Sequence, residues 1–315
     1  MAVKTEFTKE NLKQILTKYH IGQYLDSTPI AEGTVQTNYK LQTTSGQYVF
    51  RYYENRLLKS VLFETELLRY LKKNHYPCPN PIHNINGEYV DMYNTKPFVI
   101  FEYMEGSHVQ NPNEIQKKQL IQKVAELHRI TKDYQSKYIN SRLNYDVAFC
   151  IEEAQKASAR LNTLNSKKKL HWLKNGIQEL RLPETLPKGI CHADFHFSNI
   201  LFNNNQFSSL LDFDDANYTY LLFDLVGLME SFAWQRDKSG SINFKEAKNV
   251  IQEYMKHRHL SQVEKEHLFD VYKLSIYIDS IWFFERGEAT DFYEKRKIDY
   301  LEEVGRGNFY DELIG

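Results

Sequence analysis

The chain has 315 residues, 42% of them hydrophobic and 26% charged, a balance that suits a soluble globular protein with room for one large domain or two lobes. Its 40 basic and 41 acidic side chains leave a formal charge of −1, so overall charge draws it neither to nucleic acid nor to an anionic membrane. Apolar runs fall well short of the ~20 residues a membrane helix needs, and the charged stretch 1–10 does not read as a signal peptide.

Taken in order, Leu12, Ile15, Leu16 and Tyr19 recur at helical spacing after Thr8, a good N-cap. Extended segments are expected over 28–32, 38–42 and 48–53, the last two joined through Thr44-Ser45-Gly46. A helix over 57–74 follows, with Leu57, Val61, Leu68 and Leu71 on one stripe, and Tyr76-Pro77-Cys78-Pro79-Asn80-Pro81 ends it. Asn86-Gly87 predicts a hairpin between two more strands, the second completed after a loop by 98–103. That makes about five antiparallel strands and one inserted helix.

From Met104-Glu105-Gly106 onward the pattern turns helical. Leu120, Ile121, Val124 and Leu127 form one amphipathic stripe, and helices are expected over 147–165, 168–180, 245–258 and 262–286. Lys167, Lys168 and Lys169 read as a solvated surface turn. One β-like island, 190–213, interrupts the helices. Strands first and helices second predict an α+β fold of two lobes around a cleft, 1–103 and 104–315, the first a small antiparallel sheet with one helix, the second larger and mainly helical. Cys78, Cys150 and Cys191 are few and widely spaced, which fits a reducing cytoplasm rather than a disulfide framework.

The island carries the chemistry. Ile200 to Phe202 and Phe207 to Leu211 are apolar runs separated by Asn203-Asn204-Asn205-Gln206, the pattern of a hairpin. Such a hairpin folds Asp212 back beside Asn199, with Asp194 just before the first strand, so three oxygen-bearing side chains spanning 19 positions are expected to converge. Magnesium takes a few carboxylate or carbonyl oxygens and leaves the rest of its shell to phosphate and water, a role for Asn199 and Asp212. A carboxylate held off the metal orients an acceptor hydroxyl and takes its proton, a role for Asp194. The order His192-x-Asp194-x4-Asn199, then Asp212-Phe213 thirteen residues on, is the catalytic-loop and metal-loop pattern of kinases. A rival reading takes Cys191, His192 and His196 as zinc ligands, at a spacing poor for a structural site. His192 reads as packed support for the loop, while His196 either approaches the substrate or is neutral surface. Asp224, a carboxylate within an apolar run, either accepts backbone N–H groups of the catalytic loop or caps a helix.

On the nucleotide side, the turn around Gly33 either covers phosphates with its amides or is an ordinary hairpin. Glu64 lies on the buried stripe of the 57–74 helix, Glu66 off it, and a buried glutamate needs a cation. Arg51 is the partner the neighbouring strand offers, and an Arg51–Glu64 pair matches the Lys–Glu pair that positions phosphates in kinases. The bland reading is an exposed Arg51 with Glu64 at the edge of the stripe.

With these residues placed, nearly the whole chain resembles the aminoglycoside phosphotransferase/choline kinase superfamily. The resemblance rests on Glu32-Gly33 with Asn38-Tyr39, Pro77-x-Pro79-x-Pro81, Ala125-Glu126-Leu127-His128, the His192/Asp194/Asn199 loop, Asp212-Phe213-Asp214-Asp215-Ala216 and Phe223-Asp224-Leu225. Within it the amino-terminal half looks most like the kinase-fold homoserine kinases, through Ile30-Ala31-Glu32-Gly33, Thr43-Thr44-Ser45-Gly46, Tyr53-Glu54-Asn55-Arg56 and Pro77-Cys78-Pro79-Asn80-Pro81-Ile82. The resemblance implies a protein-kinase-like two-lobed fold and an ATP- and Mg2+-dependent kinase of a small-molecule alcohol, a monomer or homodimer, with Asp194 as base and Asn199 and Asp212 as Mg2+ ligands. It also implies an adenine site at Glu102-Tyr103-Met104. Arg51 stands where the superfamily usually has lysine, and Asp214 where a glycine is common.

For the acceptor, homoserine needs partners for one ammonium and one carboxylate; aminoglycosides want a broad acidic surface. Glu285, Glu288, Asp291 and Glu294 recur at threes, but Lys295-Arg296-Lys297 follows, and a solvated, self-compensated helix is expected. Trp234, Trp282, Phe283 and Phe284 either pack a core or line the acceptor pocket. Three functions stand in order: a homoserine-type kinase, an antibiotic or choline-type kinase, and a nucleotide-binding pseudokinase, which has no use for Asp194.

Overall fold

The computed structural model describes residues 4–31, 35–195, 197–235 and 240–314. Gly33 and His196 lie outside these residues. The chain packs as two compact units. The first comprises 1–112, 135–142 and 197–214, the second 113–134, 143–196 and 215–315. The grouping is discontinuous in sequence, where the sequence reading has a single cut after residue 103.

In the first unit, strand pleating sorts the side chains. β1 (Tyr24–Pro29), β2 (Thr37–Thr43), β3 (Gly46–Tyr52), β4 (Pro81–Ile82), β5 (Asp91–Tyr93) and β6 (Lys96–Glu102) form one antiparallel sheet in the order β1-β2-β3-β6-β4, with β5 also on β6. Tyr39, Leu41, Phe50, Tyr52, Phe98 and Ile100 alternate onto one face, where they pack with Phe7, Leu12, Ile15 and Leu16. Three of these apolar groups come from α1 (Lys9–Leu16), which Thr8 caps through a reciprocal pair with Asn11. The intervening positions, Asn38, Lys40, Val49, Arg51 and Phe101, go to the opposite face, and all five line a cavity there. α2 (Leu58–Lys73) buries Val61, Glu64, Leu68 and Leu71, while Leu57 is 82% exposed just ahead of it.

The sheet has six strands rather than five, and Asn86-Gly87 does not join paired strands. β4 and β5 each pair with β6, and the tight turn falls at Asn94-Thr95, where Asn94 takes φ 54°. Asn84 closes the Asn86-Gly87 loop on itself instead, its Oδ1 accepting from the N–H groups of Asn86 and Glu88. Gly106 (φ 142°) follows the last strand; a Cβ there would stand 3.0 Å from the carbonyl oxygen of Phe202, so only glycine lets the two backbones meet.

The second unit is mainly helical. It contains α3 (Glu114–Ile130), α4 (Val147–Leu161), α5 (Leu164–Gln178), α6 (Leu222–Ala233), α7 (Phe244–Met255), α8 (Gln262–Trp282) and α9 (Tyr293–Ile314). Between α5 and α6, β7 (Lys188–Cys191) pairs antiparallel with β10 (Asn217–Tyr220). α8 is buried almost all round from Leu268 to Ile281, as befits the central helix of a bundle. It ends at Trp282, so the helix expected to 286 stops short. The chain leaves the helix at Phe283 (φ −120°, ψ 27°), and the loop that follows turns at Gly287, whose φ is 68° and where a Cβ would lie 2.9 Å from that of Phe292. Among the described residues no helix is long and apolar enough to cross a membrane.

Candidate active site

The hairpin that returns Asp212 to Asn199 belongs to the first unit. β8 (Ile200–Asn203) and β9 (Gln206–Leu210) pair around Asn204 and Asn205, both at positive φ (49° and 64°), the signature of a tight two-residue hairpin turn. The N–H of Leu211 donates to the carbonyl of Asn199 at 2.7 Å, which fixes the two loop ends side by side. Asp212 follows in the left-handed region (φ 60°), a conformation Asp tolerates but which must be held. The hold comes from Asp214, which accepts two hydrogen bonds from Arg56 (2.8 and 3.1 Å) and one from Gln36 (2.8 Å). Burial alone would raise the Asp214 carboxyl, yet Arg56 and its neighbours keep it below the usual range. Arg142 adds donors to the carbonyls of Phe213 and Asp214. Thus Asp214, where a glycine was the family expectation, anchors the loop.

On the cavity face of the sheet, Arg51 sits directly across from Asn38 in the β2–β3 register. Its Nε donates to Asn38 Oδ1 (3.1 Å), and Nη1 lies 2.8 Å from Asp212 Oδ1 and 3.5 Å from Glu64 Oε1. A planar fork reaches three acceptors in a way that a lysine's single point charge does not. Glu64 is 1% exposed and also accepts from the Tyr53 hydroxyl at 3.0 Å. Burial pushes its carboxyl up, to about 7, against the pull of Arg51. Glu66, off the stripe, accepts from Ser136 instead. The cavity encloses about 420 Å3; Ile30, Val49, Leu68 and Leu201 give it apolar walls, while Arg51, Asn199 and Asp212 gather polar groups. Glu102, Tyr103 and Met104 also line it, with the Glu102 carboxylate already engaged by Asn80 and Lys72. Asn38, Gln36 and Arg56 were missed in the sequence, although the pleat places Asn38 across from Arg51 once the hairpin register is known.

Asp194 belongs to the second unit. It follows Ala193, which takes φ 64°, a conformation that costs a residue with a Cβ roughly 1–2 kcal/mol. Asp224, 1% exposed in the first turn of α6, holds this kink. Its Oδ2 accepts from the N–H of His192 and its Oδ1 from that of Ala193, both at 2.9 Å. Of the two readings of Asp224, the loop-backbone one is observed; Leu221 stands at the N-cap position with no side-chain cap. His192 is fully buried beside Phe195, and its Nδ1 faces the N–H of Asp194 at 3.3 Å. One partner went unseen: His128 Nε2 lies 2.9 Å from Asp224 Oδ2, and its Nδ1 lies 2.6 Å from the Tyr254 hydroxyl. Ala125-Glu126-Leu127-His128 carried the family likeness, but helical spacing gave no sign of where His128 points.

The Cys191/His192/His196 set includes His196, which lies outside the described residues. Among the described residues, His128, Cys191 and Asp224 lie within mutual ligand reach, all buried. Asp224 is committed there to backbone donors, and burial pushes the Cys191 thiol well up.

Asp194 lines a second cavity, of about 790 Å3, with Phe223, Gly227 and Glu230 from α6 and Ser275 and Asp279 from α8. Its remaining wall is the loop after α8 and the first turns of α9. Asp291 and Glu294 face this cavity rather than forming one solvated helix face, because the chain leaves α8 at Phe283 and re-enters a helix only at Tyr293. Phe283 lines the cavity, whereas Phe284 and Trp234 are buried at 2% and 8%, and Trp282 is 47% exposed.

The loop is held from α5. Lys169, expected on a solvated turn, is 1% exposed; its Nζ donates to the carbonyls of Phe284 (3.1 Å) and Arg286 and lies 4.4 Å from the Phe292 ring. Only Lys167 and Lys168 point outward. Asn165, one turn earlier, donates to the Gly287 carbonyl and accepts from the N–H of Ala289. Lys169→Met should therefore destabilise the fold by about 1–3 kcal/mol. Faster amide hydrogen exchange over 284–292, with α8 unchanged, is the measurement that checks it.

Comparison with known proteins decides the family: the model of the phosphotransferase enzyme family matches residues 26–254. The chain belongs to that family. This phosphotransferase is 28% identical over 305 residues to a homoserine kinase of Nitrobacter winogradskyi, covering 96% of this chain and 87% of that protein. Among solved structures it is similar to the amicoumacin kinase hAmiN in complex with AMP-PNP, Ca2+ and Ami (TM-score 0.69, 17% identity, 96% and 93% of the two chains). The microcompartment-associated aminopropanol kinase is also similar (TM-score 0.67, 15% identity, 95% and 98%). These structures show that the phosphotransferase has the expected α+β kinase-like fold. It is a small-molecule kinase, transferring phosphate to a hydroxyl group.

Proposed function

We propose that the donor is ATP, the metal Mg2+, and the acceptor homoserine or a closely similar amino alcohol. The observation that carries this reading is the arrangement on the cavity face of the first unit. Arg51 is fixed by Asn38, Glu64 and Asp212, and Asn199 is tied to the strand that leads into Asp212. Two hard oxygen donors and a fixed cation form a donor set suited to a magnesium–triphosphate. Asn199 and Asp212 would hold the ion, which when bound neutralises charge on the transferring phosphoryl group. Arg51, positioned by Glu64, would orient the α/β-phosphates; the Gly33 turn would cover them and the Glu102-Tyr103-Met104 backbone would take adenine. Residues 1–103 would thus be the nucleotide-binding lobe and 104–315 the catalytic and substrate-binding one.

In the reaction the acceptor oxygen attacks the γ-phosphorus, the bond to the bridging oxygen breaks, and ADP leaves. Asp194 takes the hydroxyl proton, and His192 and Asp224 hold its loop. The homoserine kinase likeness along 96% of the chain supports the acceptor. Three free, buried cysteines suit work in the cytoplasm.

A coupled ADP-release assay over homoserine, choline, methylthioribose, sugars and aminoglycosides tests the reading. Homoserine should give the highest kcat/KM. Preference for an aminoglycoside or choline would replace it with the antibiotic- or choline-type reading, and a flat response would place the acceptor outside these classes.

A further inference from the structure

The cavity beside Asp194 contains a carboxylate that the reaction as described leaves idle. Asp279 lies on α8 one turn after Ser275, Phe283 stands just past the helix end, and all three line the cavity. It is exposed to the cavity, although its neighbours Ile278 and Ser280 are buried. It makes no hydrogen bond or ion pair with a described residue. Of the other acids lining the cavity, Asp194 is the proposed base and Glu294 is buried at 7% in the first turn of α9. Glu230 pairs with Lys297, and Asp291 lies 3.5 Å from Arg296. Opposite charge is present too: Arg286 lines the same cavity, its guanidinium stacked 4.1 Å from the Phe283 ring centre and paired with no described carboxylate.

We propose that Asp279 receives the ammonium group of the acceptor and Arg286 its carboxylate, making the cavity a site for a zwitterionic amino alcohol. This rests on the kinase reading above and adds the residues that choose its substrate. Enclosure by protein pushes the Asp279 carboxyl up to about 7, with Lys297 pulling it down and Glu230, Glu294 and Asp194 pushing it further. A carboxylate so placed gains from an arriving cation, because the cation offsets the cost of its charge. Lys169 and Asn165 hold the loop that carries Arg286, which fixes the second charge before the ligand arrives.

The test compares wild type, Asp279→Asn and Arg286→Met on homoserine, 3-aminopropanol (no carboxylate) and 4-hydroxybutanoate (no ammonium), each as substrate or competitive inhibitor. Asp279→Asn should raise KM or Ki for the two amines about 10- to 100-fold and leave 4-hydroxybutanoate and ATP within about twofold. Arg286→Met should weaken homoserine and 4-hydroxybutanoate and spare 3-aminopropanol. An Asp279→Asn enzyme with homoserine KM unchanged, or with all three ligands weakened alike, overturns the assignment. Wild type that works on 3-aminopropanol in an Asp279-dependent way but not on homoserine overturns the homoserine reading and the Arg286 half, and upholds Asp279. Wild type that accepts neither amine overturns both.

Discussion

Asp194→Asn is expected to lower kcat by about 10²- to 10⁴-fold while changing the KM for ATP less than about twofold. The substitution is nearly isosteric and removes the negative charge together with the capacity to take a proton. The backbone hydrogen bonds to Asp224 on the two preceding residues do not involve the replaced atoms, so the loop keeps its kink. Single-turnover quench with saturating ATP and homoserine separates the chemical step from product release. Turnover at the wild-type rate would remove Asp194 from the role of base and leave the second cavity without one.

Asp224→Ala attacks the same loop from beneath. Three donors lose their acceptor together: the N–H groups of His192 and Ala193, and His128 Nε2. Each lies where water is scarce, so the loss should cost about 3–5 kcal/mol of stability. Activity should fall further than stability explains, because Ala193 relaxes from φ 64° once its anchor is gone. Thermal unfolding and kcat measured well below the unfolding midpoint check the two parts. Asp224→Asn, which keeps one acceptor oxygen, should retain more of both. Wild-type kcat in the alanine variant would mean that the loop holds its shape without Asp224.

How much of this was legible beforehand depends on the range of the contact. The 200–211 hairpin could be read because two apolar runs flank four polar residues, a purely local signal. Arg51 and Glu64 could be read because each breaks a short apolar pattern, one in a strand and one in a helix. His128 and Asp224 are 96 positions apart and meet only through the packing of α3 and α6, which no periodicity records. Asn86-Gly87 misled because a turn dipeptide specifies a turn and says nothing of what its flanks pair with. The acids from 285 to 294 misled for a related reason: their spacing suited a helix, whereas the chain runs as a loop from Phe283 to Phe292. Lys169 and Asp279 are instructive failures. Each is a charge set among buried residues of a helix, the same kind of anomaly that revealed Glu64, yet Lys169 was hidden in a basic triplet and Asp279 in a long apolar run.

The two-residue rhythm of β2 and β3 has a consequence for how this stretch tolerates change. Replacing one side chain there perturbs one face. Deleting or inserting a single residue between 37 and 52 without a compensating bulge would turn the strand over, carrying Arg51 toward Phe7 and α1 and bringing aromatic rings to the nucleotide side. Length variation here should therefore come in even steps or collect at Thr44-Ser45, which are exposed at the turn, at the cost of the hydrogen bond Thr44 accepts from the N–H of Gln23.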